Sequence, residues 1–97
     1  MSNTESIKDT LQLIKPELLT KFNVSMIGLF GSVVRDDYSP ANSDIDIIVD
    51  FSKPIGIEFV ELADFLEKKL NKKVDLVSRK GIKASYFKVI EPEIVYV

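Results

Sequence analysis

Asp44 and Asp46 stand two residues apart in the run "SDIDIIVDF", embedded among Ile45, Ile47, Ile48 and Val49. In an extended strand, residues two apart face the same side. Both carboxylates therefore project together while Ile45 and Ile47 turn into a core. Burying a carboxylate is costly unless its charge is compensated, and two side by side repel each other. A hard divalent cation relieves both costs, and magnesium or manganese suits a set of oxygen ligands. A bare Asp-x-Asp is more simply a solvated strand end, so its context has to decide.

Asp75 repeats the arrangement inside "VDLV". If the two strands are neighbours, three carboxylates meet on one face, the ligand set for two metal ions sharing a bridging aspartate. Taken alone, Asp75 is equally an edge-strand charge that discourages aggregation. Gly31-Ser32 closes another apolar run, "VSMIGLF", where a strand turns into a helix. Glycine lets a phosphate approach the backbone, and the helix start and the serine hydroxyl supply donors. Arg35 lies one turn further on, within reach of the same anion. Each signal has a plain alternative (turn chemistry for Gly-Ser, a surface position for Arg35). Together they describe one site, a phosphate cradle beside metal ligands.

The elements that must position these residues follow from periodicity. Ser2 to Phe22 predicts a helix whose inner face holds Ile7, Leu11, Ile14, Leu18, Leu19 and Phe22. Ser2 and Glu5 form a candidate capping box, and Pro16 is expected to break or kink the helix or to begin a second one. Val24–Phe30 predicts a strand, 32–36 a short helix and "DDYSPANS" a loop. Asp44–Phe51 reads as a buried strand, 52–56 as a turn around Pro54, and 57–70 as an amphipathic helix. That helix carries Phe59, Leu62, Ala63, Leu66 and Leu70 on one face. A third strand at 74–77, a helix at 82–90 stopped by Pro92 and a terminal strand at 94–97 complete the order. The expected class is α/β, a small mixed sheet with helices packed on it.

Composition narrows the chemistry. The 97 residues fit one small domain, 1–97, with 45% hydrophobic and 29% charged residues. There is no histidine and no cysteine, so carboxylates and hydroxyls must carry any reaction. The net charge of −2 supplies no basic field, which disfavours a nucleic acid partner. Lysines 68, 69, 72 and 73 more simply complement a helix dipole. No apolar run approaches the ~18 residues of a membrane span, and the polar start is unlike a signal peptide. The expected location is cytoplasmic, without membrane contact.

The combined pattern "GS…SDIDIIVDF" with the later "VDLV" resembles the minimal nucleotidyltransferases, the MNT family of the polymerase-β-like superfamily. The likeness runs over essentially the whole chain, to its "IEPEIVYV" ending. The 11 residues 33–43 separate Ser32 from Asp44, one more than is usual in that family. The extra residue falls near the Pro40-Ala41-Asn42 turn, where insertion should leave the strand register intact. The resemblance implies a polymerase-β-like palm fold and transfer of AMP from ATP to a hydroxyl. It gives Gly31 and Ser32 to the triphosphate, and Asp44 and Asp46 to two magnesium ions, with manganese an alternative. Asp75 would hold one metal and help deprotonate or orient the attacking hydroxyl. Proteins resembling this one are typically encoded with a HEPN-type toxin. They act as its antitoxin by binding it, or by adenylylating a tyrosine on it.

Related enzymes that act on antibiotics or RNA ends carry a helical domain for the second substrate. A chain of this length is expected to rely on a separate protein to hold the acceptor. The rival readings are an antitoxin that works by contact alone, and transfer to a small molecule. The latter needs a second domain or a dimer, so a homo-oligomer stays open. All three carboxylates and Gly-Ser are present, which favours the enzyme.

Overall fold

Ile7, Leu11, Ile14, Leu18 and Phe22, three or four residues apart, form the buried stripe of helix α1 (Asn3–Phe22). The computed structural model describes residues 3–35, 38–39 and 43–97. Ser2, and with it the candidate capping box, lies outside that set. Pro16 neither breaks the helix nor starts another; it stands inside α1. Its side chain is exposed, where water can hydrate the carbonyl its ring deprives of a partner. Ile14 and Leu18 are buried on either side of it and hold the two halves to one core. Leu19, expected on the inner face, is 56% exposed, because Leu18 already fills the stripe and its neighbour is turned away.

Among the described residues four strands follow: β1 (Val24–Phe30), β2 (Ile45–Phe51), β3 (Val74–Ser78) and β4 (Val95–Tyr96). They form a mixed sheet in the order β3-β2-β1-β4. β1 pairs antiparallel with β2 and with β4, whereas β2 and β3 run parallel. A parallel neighbour demands a crossover, which α2 (Glu58–Leu70) provides. Its Leu62, Leu66 and Leu70 are buried against α1 and the sheet, and Asn71 ends it in the left-handed region at φ 54°. Ile57, expected inside this helix, is its 73% exposed N-cap.

The two sheet faces are unequal. Ile45, Ile47 and Val49 of β2 join the larger core under α1 and α2. The opposite face carries a smaller cluster of Phe30, Ile48, Phe87 and Ile90, the last two from α3 (Ala84–Ile90). That helix begins at Ala84 instead of Ile82, since the Gly81 and Ile82 N–H groups first turn back onto the Ser78 carbonyl. Pro92 then sits in a 3-10 turn, Glu91–Glu93, leading to β4. The smaller cluster leaves the ends of β2 and β3 uncovered on its own face, and there the aspartates lie.

Leu66, fully buried, anchors the crossover that fixes β3 beside β2. Leu66→Ala should therefore lower the unfolding free energy by about 2–5 kcal/mol in urea denaturation. A loss below about 1 kcal/mol would mean that α2 does not hold the parallel pair together.

Candidate active site

β1 ends at buried Phe30, and the chain leaves it through Gly31 at φ +77°, a backbone conformation that favours glycine. Gly31–Val33 makes one 3-10 turn, shorter than the helix expected over 32–36. The Val34 and Arg35 N–H groups both return to the Gly31 carbonyl. Val33 plugs this turn into the larger core, and the Thr4 hydroxyl of α1 donates to its carbonyl. Ser32, between two buried residues, is thereby held half-buried at the strand end.

In β2, Asp46 stands opposite Phe30 of β1 on one side and Asp75 of β3 on the other. The parallel register thus sets two carboxylates side by side on neighbouring strands, about 4.8 Å apart in backbone spacing. The Ile45 N–H donates to the Lys73 carbonyl at 2.9 Å and carries the pairing up to Asp44. Burial, the charges of Asp75 and Asp44, and a hydrogen bond with Asp75 push the Asp46 carboxyl up to about 6; the Arg35 charge opposes them. Gly31 is part of the same arrangement, since a Cβ there would overlap Oδ2 of Asp46. The turn and the carboxylate can sit so close only because residue 31 has no side chain.

The three aspartates share a face without forming a cage. Asp46 and Asp75 make a close pair, while Asp44 is exposed and reaches Asp46 through its field. Among the described residues, no three acidic side chains are gathered as a metal-holding group. Arg35 is exposed and pairs with Glu93, its Nη1 lying 3.2 and 3.3 Å from the two carboxylate oxygens. Glu93 also accepts the Gly31 N–H at 3.0 Å.

Glu93 and Tyr38 escaped the sequence reading. Tyr38 packs beside the larger core, and burial, then the Asp44 charge, raises its hydroxyl above the ordinary value. No spacing rule would have placed it there. Glu93 gave no local signal either; only the antiparallel pairing of β4 with β1 sets it level with Gly31. A cleft of about 380 Å³ between Asp50, Phe51, Pro54, Phe59 and Lys80 opens at the far end of β2 and holds none of the three aspartates. Converging charge, not concavity, locates this site.

Residues 11–96 match the nucleotidyltransferase domain family. The chain belongs to that family. It is 41% identical over 98 residues to the protein adenylyltransferase MntA of Thermococcus cleftensis, covering all of this chain and 98% of that one. A solved toxin–antitoxin structure with AMP-PNP is 27% identical, with a TM-score of 0.69 over 97% of this chain and 71% of that one. A tri-AMPylated HEPN toxin of Shewanella oneidensis in complex with MNT antitoxin gives a TM-score of 0.69 at 22% identity, over 96% of this chain and 70% of that one. That last likeness speaks for the fold alone. The expected small mixed sheet of a minimal nucleotidyltransferase is what the chain has. Among the described residues, no helix is long and apolar enough to cross a membrane.

The raised Asp46 carboxyl predicts a pH dependence. The folded chain keeps a proton that the unfolded chain releases at the ordinary value of 3.8. The Asp46 contribution to metal-free stability should therefore be full below about pH 4, be lost as pH rises through about 6, and level off above. Asp46→Asn should abolish most of that slope and melt higher than wild type near pH 7. Thermal midpoints read across this range check it, and a mutant with wild-type slope would remove Asp46 as the source.

Proposed function

We propose that this protein transfers AMP from ATP to a hydroxyl, a tyrosine in the simplest case, on a HEPN-type toxin partner, and so acts as its antitoxin. The observation that carries the reading is the register of Asp46 with Asp75, beside a Gly31-Ser32 turn that touches Asp46. The protein adenylyltransferase named among its relatives, and the AMP-PNP in a similar toxin–antitoxin structure, support the substrate and the kind of partner.

The donor set fits hard divalent cations. It consists of carboxylate oxygens alone, and Asp46 holds a proton unusually tightly, as expected where negative charge lacks a counterion. Asp44, Asp46 and Asp75 would hold two magnesium ions, with manganese able to replace them. Such ions offset phosphate charge and stabilise both the entering and the leaving oxygen.

The chain's own residues supply the positioning. Ser32 donates its hydroxyl to the triphosphate, and Gly31 keeps side-chain bulk away from it. Arg35 lends positive charge on the same side. Asp75, exposed at the margin of the pair, orients the acceptor hydroxyl and draws off its proton. The acceptor oxygen bonds to the α-phosphorus as the bond to the β-phosphate oxygen breaks, and pyrophosphate leaves. Little covalent work falls to the protein, so alignment supplies most of the rate. The domain spanning 1–97 is, in this reading, sufficient to hold ATP, and the partner completes the acceptor side.

Label from α-phosphate-labelled ATP should appear on the partner only when both proteins are present, raising its mass by AMP units and lowering its toxicity. The doubly substituted Asp44→Asn, Asp46→Asn protein should bind the partner and leave it unlabelled. If that variant neutralises the toxin as well as wild type does, neutralisation is by contact and the catalytic proposal fails. Within the site, Asp75→Asn should slow single-turnover transfer far more than it weakens Mg–ATP binding. Ser32→Ala should weaken that binding by about 0.5–1.5 kcal/mol. Loss of affinity alone in both variants would overturn this division of labour.

A further inference from the structure

Glu93 belongs to neither the carboxylate pair nor the Gly-Ser turn, yet it joins the pieces of the site. β4 pairs Val95 with Leu29 and Tyr96 with Gly28, so the same antiparallel register brings Glu93 level with Gly31. At that point the chain is a 3-10 turn, Glu91–Glu93, and the strand pairing has ended at Leu29 and Val95. The Glu93 side chain takes its place, accepting the Gly31 N–H at 3.0 Å through Oε1. Both of its oxygens also lie 3.2–3.3 Å from Nη1 of Arg35. The segment is seated firmly. Ile94 packs into the smaller core, and it fits because Gly28 has no Cβ, which would stand 2.7 Å from Ile94 Cγ2.

The directions of these contacts matter. The Gly31 N–H reaches towards the β4 side of the sheet, whereas the Cβ direction of Gly31 points at Asp46. Glu93 therefore braces the turn from the strand edge and leaves the face beside Asp46 clear. We propose that Glu93 is a positioning residue, fixing the Gly31-Ser32 turn and the Arg35 guanidinium for the triphosphate of an incoming nucleotide. The proposal rests on the nucleotidyl-transfer reading of this site. It also changes the part played by Gly31, whose N–H is held by Glu93 and whose contribution is its backbone shape. The segment Pro92-Glu93-Ile94 becomes part of the nucleotide site although it is remote from Gly31 in sequence.

Glu93→Ala, Glu93→Gln and Arg35→Ala test this, with Mg–ATP affinity by calorimetry, kcat and KM for AMP transfer, and hydrogen exchange at the Gly31 amide as readouts. Glu93→Ala should weaken Mg–ATP binding roughly tenfold and speed Gly31 exchange. It should raise KM for ATP more than it lowers kcat. Glu93→Gln keeps an acceptor for the Gly31 N–H, so it should restore protection and recover much of the affinity. Losses in the Glu93→Ala, Arg35→Ala double variant should fall short of the product of the single losses, because part of each comes from the contact the two share. Wild-type affinity and transfer in Glu93→Ala overturns the proposal. So does tighter binding, which would make the carboxylate a competitor of phosphate. A wild type that binds Mg–ATP without transferring AMP to its toxin partner when both are present, while Glu93→Ala weakens the binding, leaves the positioning role standing and removes the transfer reading. A wild type that binds no Mg–ATP removes both.

Discussion

Two carboxylates set side by side on adjacent parallel strands repel, and the site is organised around that repulsion. Asp46 cannot move away, because its backbone is locked between β1 and β3 with Phe30 opposite on one side and Asp75 on the other. Nor can water fully screen it, since it is partly buried under the Gly31 turn. The result is a carboxyl that keeps its proton up to about pH 6. A fold selected for stability alone would have replaced one of the two acids, as cores tolerate apolar substitutes of similar size. Retaining both makes sense if a cation takes the place of the proton in the working state.

The unequal sheet faces follow from the same need. α1 and α2 bury one side completely with aliphatic side chains from β1 and β2. This rigid backing lets the other side stay open near Asp46 and Asp75. α3 covers only the middle of that second face, through Phe87 and Ile90 on Phe30 and Ile48. The parallel β2–β3 pair is what aligns Asp75 with Asp46, and it exists only because α2 carries the chain back over the sheet. In the proposed reading, stability and chemistry are thus divided between the two faces of one sheet.

Much of this was legible in the sequence. β1 spans the expected residues, β2 and α2 begin one residue later than their alternation and apolar stripe suggested, and Asp75 meets Asp46 as its setting in "VDLV" implied. Local pattern sufficed there because each residue's neighbours in sequence decide which way it faces. It failed where the deciding partner is distant. Pro16 stays helical because the core on both sides of it outweighs one lost hydrogen bond. Leu19 faces solvent because a helix has room for only one of two adjacent leucines on its stripe. Glu93 reads as a surface charge after a proline until the sheet order puts β4 beside β1.

The central claim is that Asp46 and Asp75 form a strained pair awaiting a cation. Its most direct test is the side-chain carboxyl signal of Asp46, followed by carbon NMR as a function of pH. Without divalent metal, Asp46 should titrate near 6. With saturating Mg–ATP the midpoint should drop below the ordinary carboxylate value, as bound cation competes with the proton. An Asp46 that titrates at 3.8 without metal, and whose midpoint Mg–ATP does not move, would contradict the account.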